Sequence, residues 1–213
     1  MENIQNNYDT NEQNKIYILG GRGVGKTSFL RALFSEKFDE NIKPSEKGIT
    51  KSNFKKDDKT FTIKDLTDDE GFTVTKFLQN ELEDVILIFI IFALNDKESF
   101  EYAKTLSGFI KKNLMNNKDL TIILLGNKYD IGEEEDSNKI QVTRKEVLKF
   151  FSKSENYFYN EISCKTNFGV DKIKKVIEDI EVNNNENEED DGNMEEEERK
   201  KKVKQTDKSC III

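Results

Sequence analysis

The stretch Ile16-Tyr17-Ile18-Leu19-Gly20-Gly21-Arg22-Gly23-Val24-Gly25-Lys26-Thr27 decides how this chain is read. Its four leading apolar residues make a short strand that stops at a glycine. From Thr27 to Phe34 the pattern turns helical, with Phe29, Leu30 and Leu33 on one side. Between strand and helix lies G-x-x-x-x-G-K-T, the spacing of a loop that wraps phosphates. Backbone N–H groups over Gly20, Gly23, Val24, Gly25 and Ser28 would face the anion, helped by the positive end of the helix. Lys26 would reach the outer phosphates, and the Thr27 hydroxyl would ligate Mg²⁺. The competing reading is a glycine-rich turn that merely joins strand to helix; the strand before it and helix after it argue against that.

Outward from this loop, short apolar runs alternate with helical patterns. Strand-like stretches follow near Ile49–Phe54 and Phe61–Asp65, then a helix over Phe72–Leu82. Val85–Phe92 is apolar on both faces, as a central parallel strand must be. A helix from Glu98 to about Asn113, a strand Leu120–Leu125 and a helix Thr143–Phe151 come next. A strand at Tyr157–Ile162 and a helix Val170–Ile180 complete the series, while Asp130–Thr143 reads as a modest acidic loop. The order β-α-β-β-α-β-α-β-α-β-α predicts an α/β fold: a six-stranded, mostly parallel sheet with helices on both faces. Ligands of such sheets bind beyond the carboxyl ends of the strands.

Two further loops fall at those ends. Asn127-Lys128-Tyr129-Asp130 follows the strand Leu120–Leu125, and Ser163-Cys164-Lys165 follows the last strand. A carboxylate at Asp130 can accept from both N1–H and the 2-amino group of guanine. Adenine lacks both donors, so an unpaired buried acceptor would discriminate strongly against it. Alone, N-K-x-D also fits a solvated turn in a chain rich in Asn and Lys. Together with the phosphate loop, it points to guanine nucleotide.

Composition sets the outer limits. The 213 residues carry 34 bases against 42 acids, a net −8, which argues against a general nucleic-acid binder. With no histidine, Ser-His-Asp and Cys-His chemistry and His-ligated metals are excluded. Two cysteines, Cys164 and Cys210, make no disulfide framework. Met1–Asn14 lacks an apolar core, so no secretory leader is expected, and the ten-residue run Val85–Leu94 is too short to span a bilayer as a helix. These features lead us to expect an intracellular protein.

Three segments emerge. Residues 1–14 read as a disordered arm, 15–182 carry all the periodic apolar pattern, and 183–213 form a tail expected to be disordered. Without the tail, 28 bases face 32 acids. In the tail, Glu186–Glu198 holds nine acids and no base, and Arg199–Lys208 holds six bases against one acid. Cys210-Ile211-Ile212-Ile213 has the form C-a-a-X, whose reading is prenylation of Cys210; the alternative is an unmodified apolar end. A single lipid anchors marginally, so Arg199-Lys200-Lys201-Lys202 and Lys204 would supply the second signal, at roughly 1 kcal/mol per base near an anionic leaflet.

These residues together resemble the Ras superfamily of small GTPases over about 15–182. The tail is similar in length to Rab-type tails, and Ras- and Rho-type assignments stay open because only one cysteine lies near the end. The resemblance implies a P-loop G domain that binds GTP and GDP with Mg²⁺, using Gly25, Lys26, Thr27, Asn127, Lys128, Asp130, Ser163 and Lys165, with a backbone contact from Cys164. The Cys164 side chain reads as a small buried group rather than a redox sensor. Phe38, eleven residues past Thr27, matches an aromatic that packs edgewise on guanine, or is core. In Lys43-Pro44-Ser45, Ser45 would ligate Mg²⁺ and sense the outer phosphate. Thr50 is its rival, disfavoured as only fifteen residues from Asp65, and a third possibility has neither hydroxyl on the metal. Asp65 would hold Mg²⁺ through water.

Departures from the family cluster where the outer phosphate would sit. Its Asp-x-x-Gly-Gln-Glu appears here as Asp65-Leu66-Thr67-Asp68-Asp69-Glu70. Asp68 adds a side chain and a charge in place of a glycine. Asp69, in the catalytic position, is a methylene shorter than the family's glutamine, lacks an amide donor and adds negative charge where such charge develops. Arg22 stands at a loop position that is glycine in Ras, where it would obstruct an incoming arginine finger or act as an internal one. Slow hydrolysis and resistance to activating proteins are the expectation.

The resemblance further implies an exchange factor, an activating protein (blunted by Arg22), effectors on residues about 40–52 and 66–80, and a prenyl-binding chaperone. A monomer on the cytoplasmic face of a membrane, with an anionic surface beneath it and a cytosolic pool, completes this reading. A hydrolysis-deficient scaffold is the runner-up. An ATP-using kinase is a third class, disfavoured by Asn127–Asp130.

Overall fold

The computed structural model describes residues 14–41, 48–56, 59–66, 73–80, 85–113, 120–133, 139–151 and 157–179. Among the described residues six strands make one sheet: β1 (Lys15–Leu19), β2 (Ile49–Lys56), β3 (Lys59–Leu66), β4 (Val85–Ala93), β5 (Thr121–Asn127) and β6 (Tyr157–Glu161). Their order is β2-β3-β1-β4-β5-β6. Only β2 runs antiparallel to its neighbour; every other pair is parallel. The expected α/β sheet is therefore present, with its one antiparallel strand at an edge.

The alternation of the central strands builds two cores. On β4, Ile88, Ile90 and Phe92 face one side, and Leu87, Phe89 and Ile91 the other. The first side is covered by α2 (Val74–Asn80), α3 (Lys97–Asn113) and α5 (Arg144–Phe151), through Leu78, Phe100, Leu106 and Val147. The second is covered by α1 (Lys26–Leu33) and α6 (Val170–Asp179), through Phe29, Leu33, Ile173 and Ile177. Burial on both faces explains why β4 shows no polar alternation.

Helix starts follow local chemistry. Asp96 Oδ1 accepts from Ser99 N (3.1 Å) ahead of α3, and Thr143 Oγ1 accepts from Glu146 N (3.3 Å) ahead of α5. Both lie within a residue or two of the boundaries the sequence suggests. The acidic loop after β5 differs: its first four residues, Asp130–Glu133, close into a one-turn helix, α4. Its turn begins with backbone bonds from Ile131 N and Gly132 N to the carbonyls of Lys128 and Tyr129. Among the described residues no helix is long and apolar enough to cross a membrane.

Candidate functional site

Strands β1, β3, β5 and β6 run the same way, so the loops after β1, β5 and β6 meet at one end of the sheet. The loop after β1 holds three left-handed glycines: Gly20 (φ 148°), Gly23 (φ 77°) and Gly25 (φ 99°). A Cβ on Gly20 would overlap the Ile91 carbonyl oxygen, and one on Gly25 would overlap the Asn127 amide nitrogen. At Gly23 the space is open, and Arg22 beside it is exposed. Gly25 also opens α1 without any side-chain cap on the first turn. The N–H groups that a Ser or Asp would otherwise satisfy are left to the loop's concave side.

Lys26 is only 5% exposed. Its Nζ donates to the carbonyls of Gly20 and Gly21, both at 2.9 Å, holding the ammonium across the loop. Next to it, Thr27 Oγ1 donates to Asp65 Oδ2 at 3.1 Å. Burial pushes the Asp65 carboxyl up, opposed by the Lys26 charge and the Thr27 hydrogen bond.

The two remaining loops interlock with the first. Asn127 Nδ2 donates to Val24 O (2.8 Å), and Asn127 Oδ1 accepts from Cys164 N (3.2 Å). One buried amide thus ties all three loops. Ser163 Oγ donates to Asp130 Oδ1 (2.5 Å) and accepts from Thr166 N (3.1 Å). Tyr129 N donates to Ile162 O (3.1 Å), and Lys128 between these anchors takes a left-handed φ of 68°. Lys165 Nζ lies 3.9 Å from Glu40 Oε1. That exposed ion pair adds little stability, but it brings Glu40, two residues past Phe38, to the third loop. Phe38 is 41% exposed, which overturns its reading as core and leaves its ring open to a ligand.

A sequence model of the Ras family matches residues 15–182, most of the chain and all the described loops. The chain belongs to the Ras family. Mouse R-Ras is 29% identical over 167 residues, 76% of this chain and 71% of that protein. Human Rab-12 is 28% identical over 171 residues, 78% and 66% of the two chains. The yeast GTP-binding protein YPT52 is 25% identical over 197 residues, 79% and 80%. Ras-type and Rab-type relatives match alike, so the chain is Rab-like or Ras-like.

Ras-family proteins bind GTP or GDP, typically with Mg²⁺. This chain's residues fit both. The buried Asp65 Oδ1 has no hydrogen-bond partner among the described residues, an orphaned carboxylate oxygen beside the Thr27 hydroxyl. A hard cation with its waters satisfies such an oxygen. The uncapped loop and the buried Lys26 fit phosphate, and the Asp130 carboxylate fits a donor pair on a base.

Not every expected member of the Ras-family site can be placed. Ser45, Asp68, Asp69 and Cys210 lie outside the described residues. Thr50 is described, and it pairs directly with Asp65 across the β2–β3 ladder. Directly opposed residues share a face, so fifteen residues of separation bring Thr50 next to Asp65 instead of excluding it. The antiparallel hairpin between them makes the difference.

Cys164 is buried, and burial pushes its thiol up from 9.0 to about 12, against a lowering contact from Asn127. The raised value means its share of stability is intact below pH 9 and lost between pH 9 and about 12. The thiol should be inert. In the full chain carrying Cys210→Ser, Cys164 is expected to react with a disulfide reagent at pH 8 roughly a hundredfold more slowly when folded than in denaturant. Equal rates would show an accessible thiolate.

Proposed function

We propose that this protein is a lipidated GTP/GDP switch at a membrane, in vesicle traffic or signalling, whose own hydrolysis is slow. The observation that carries the nucleotide part is the Asn127 amide, bonded at once to the phosphate loop and to the third loop. It makes base recognition and phosphate recognition one structural unit. In this reading Asp130 accepts the base donors, oriented by Ser163. Lys128 and Lys165 flank the base with their alkyl stems, and Phe38 packs on its edge. Backbone N–H groups from Gly20 to Ser28 hold the phosphates, and Lys26 leaves its two carbonyl partners to neutralise them. Thr27, Asp65 and Ser45 or Thr50 would hold Mg²⁺, which when bound offsets charge on the phosphate oxygens.

Slow hydrolysis follows from the residue types at Asp68 and Asp69. An ionised Asp69 cannot donate to the transferring group, and both carboxylates sit in sequence where negative charge develops. Exposed Arg22 would hinder an activating protein. The lipid at Cys210 and the basic run Arg199–Lys204 would give reversible, salt-sensitive attachment to the cytoplasmic face of an anionic membrane, with a chaperone holding the cytosolic pool. Exchange factor and effectors would act through the segments around Ser45 and Asp69. A second reading, a guanine-nucleotide-binding scaffold with no turnover, is favoured by the same three residues.

Identification of the nucleotide on freshly purified protein, then a single-turnover GTP assay, tests both. GDP or GTP is expected on the protein, with conversion slow but measurable. A rate equal to GTP's own decay would leave the scaffold standing. A protein that neither carries nor takes up guanine nucleotide would remove both readings.

A further inference from the structure

Asp130 and Ser163 join the two base loops through one short hydrogen bond. A second contact, of a different kind, joins the same two loops. The rings of Tyr129 and Phe168 are stacked, with centroids 4.5 Å apart and planes 13° from parallel. Tyr129 lies between Lys128 and Asp130, whereas Phe168 comes 39 residues later in the turn that leads into α6. Phe168 is 47% exposed and Tyr129 half-buried. A large apolar ring left so open contributes little to the core, so its position needs another reason.

The backbone around Phe168 is built to hold that ring in place. Asn167 (φ 64°) and Gly169 (φ 72°) are both left-handed, and a Cβ on Gly169 would crowd the Glu161 carbonyl oxygen. Phe168 O accepts from Ser163 N (3.0 Å), closing the third loop on itself. Asn167 Nδ2 donates to Asp171 Oδ1 (3.2 Å), pinning the turn to α6. On the other loop, Lys128 is left-handed and Tyr129 N is held by Ile162 O. Both rings thus project from constrained backbone in the two loops that the Asp130–Ser163 bond joins.

We infer that the Tyr129–Phe168 stack is a clasp that positions Asp130 and Lys128 for the base, and so sets guanine specificity and the residence time of the nucleotide. The inference rests on the guanine reading above. An offset or parallel aromatic pair contributes beyond its buried area, and here that contribution opposes separation of the two loops that a departing base requires. Loss of the clasp leaves the Asp130 carboxylate with Ser163 as its side-chain partner and the loop with its backbone anchors, so the carboxylate gains freedom to shift. The hydrogen bond from the 2-amino group, which separates guanine from hypoxanthine, then loses its geometry before the phosphate contacts do.

The test compares Phe168→Ala, Tyr129→Ala, the double variant and Phe168→Tyr in the full chain, with GDP and IDP as probes. Phe168→Ala is expected to release GDP about three- to tenfold faster, with a fall in the GDP-over-IDP affinity ratio and unchanged far-ultraviolet circular dichroism. Tyr129→Ala should match it, the double variant should be no worse than either alone, and Phe168→Tyr should restore the wild-type rate. A merely structural role would slow or speed both nucleotides alike and leave the ratio fixed. Release and ratio within twofold of wild type in Phe168→Ala would overturn the clasp alone. A wild-type chain that holds neither GDP nor IDP would overturn the guanine reading with it.

Discussion

Asp130→Ala is expected to weaken GDP binding by about 10²–10⁴-fold, the largest single effect open to a side chain in the base loops. Each hydrogen bond to a charged partner contributes roughly 1.5–3 kcal/mol net, and the carboxylate can accept two from guanine. The variant also strands the Ser163 hydroxyl, which donates to Asp130 at 2.5 Å. Asp130→Asn separates the causes. It keeps the shape and one acceptor, but presents an N–H donor where the 2-amino group would arrive. Xanthine has an oxygen there, so this variant should gain XDP while losing GDP. Titration with both diphosphates reads the result, and GDP affinity within threefold of wild type for Asp130→Ala would sink the assignment.

Gly20→Ala should produce the largest loss of stability. Its φ of 148° suits glycine alone, and its Cβ would overlap the Ile91 carbonyl oxygen, which is backbone in the central strand and cannot rotate away. Strained dihedral and overpacking each cost roughly 1–3 kcal/mol. A combined loss of about 3 kcal/mol lowers the melting temperature by roughly 10 °C for a domain this size. Gly23→Ala is the control: φ is positive there too, but the space is open, so only the dihedral cost applies. Equal melting temperatures for the two variants would show that the Ile91 contact yields.

Much of this architecture can be read directly from the chain because its signals are local. The phosphate loop is eight consecutive residues between a strand and a helix, and the helices after it open at side-chain caps such as Asp96 and Thr143. The both-faces-apolar run at Val85 announces the sheet's centre for the same reason. What escapes is long-range or geometric. Nothing in Asn127-Lys128-Tyr129-Asp130 tells that Asn127 turns inward to bind Val24, or that Tyr129 finds Phe168. The Thr50–Asp65 distance was misleading because sequence separation does not reveal a hairpin whose register sets the two side by side. The one-turn helix at Asp130 is too short to leave a period. Phe38, ambiguous as a residue type, becomes informative only once its exposure is known.

The Asn127 bridge also bears on how the protein is made. Its partners lie 103 residues before it at Val24 and 37 after it at Cys164. At about 5–20 residues per second, translation separates the first of these from the last by roughly 7–30 s. For the first 103 residues of that interval the nascent chain owns a glycine loop without the amide that steadies it, and for the last 37 the amide lacks its Cys164 partner. Nucleotide capture should therefore wait for β6, and truncated translation products should not compete for the cell's guanine nucleotides. Once the last strand docks, a bound nucleotide would favour only the finished fold, so its supply would act as a late checkpoint on newly made chains.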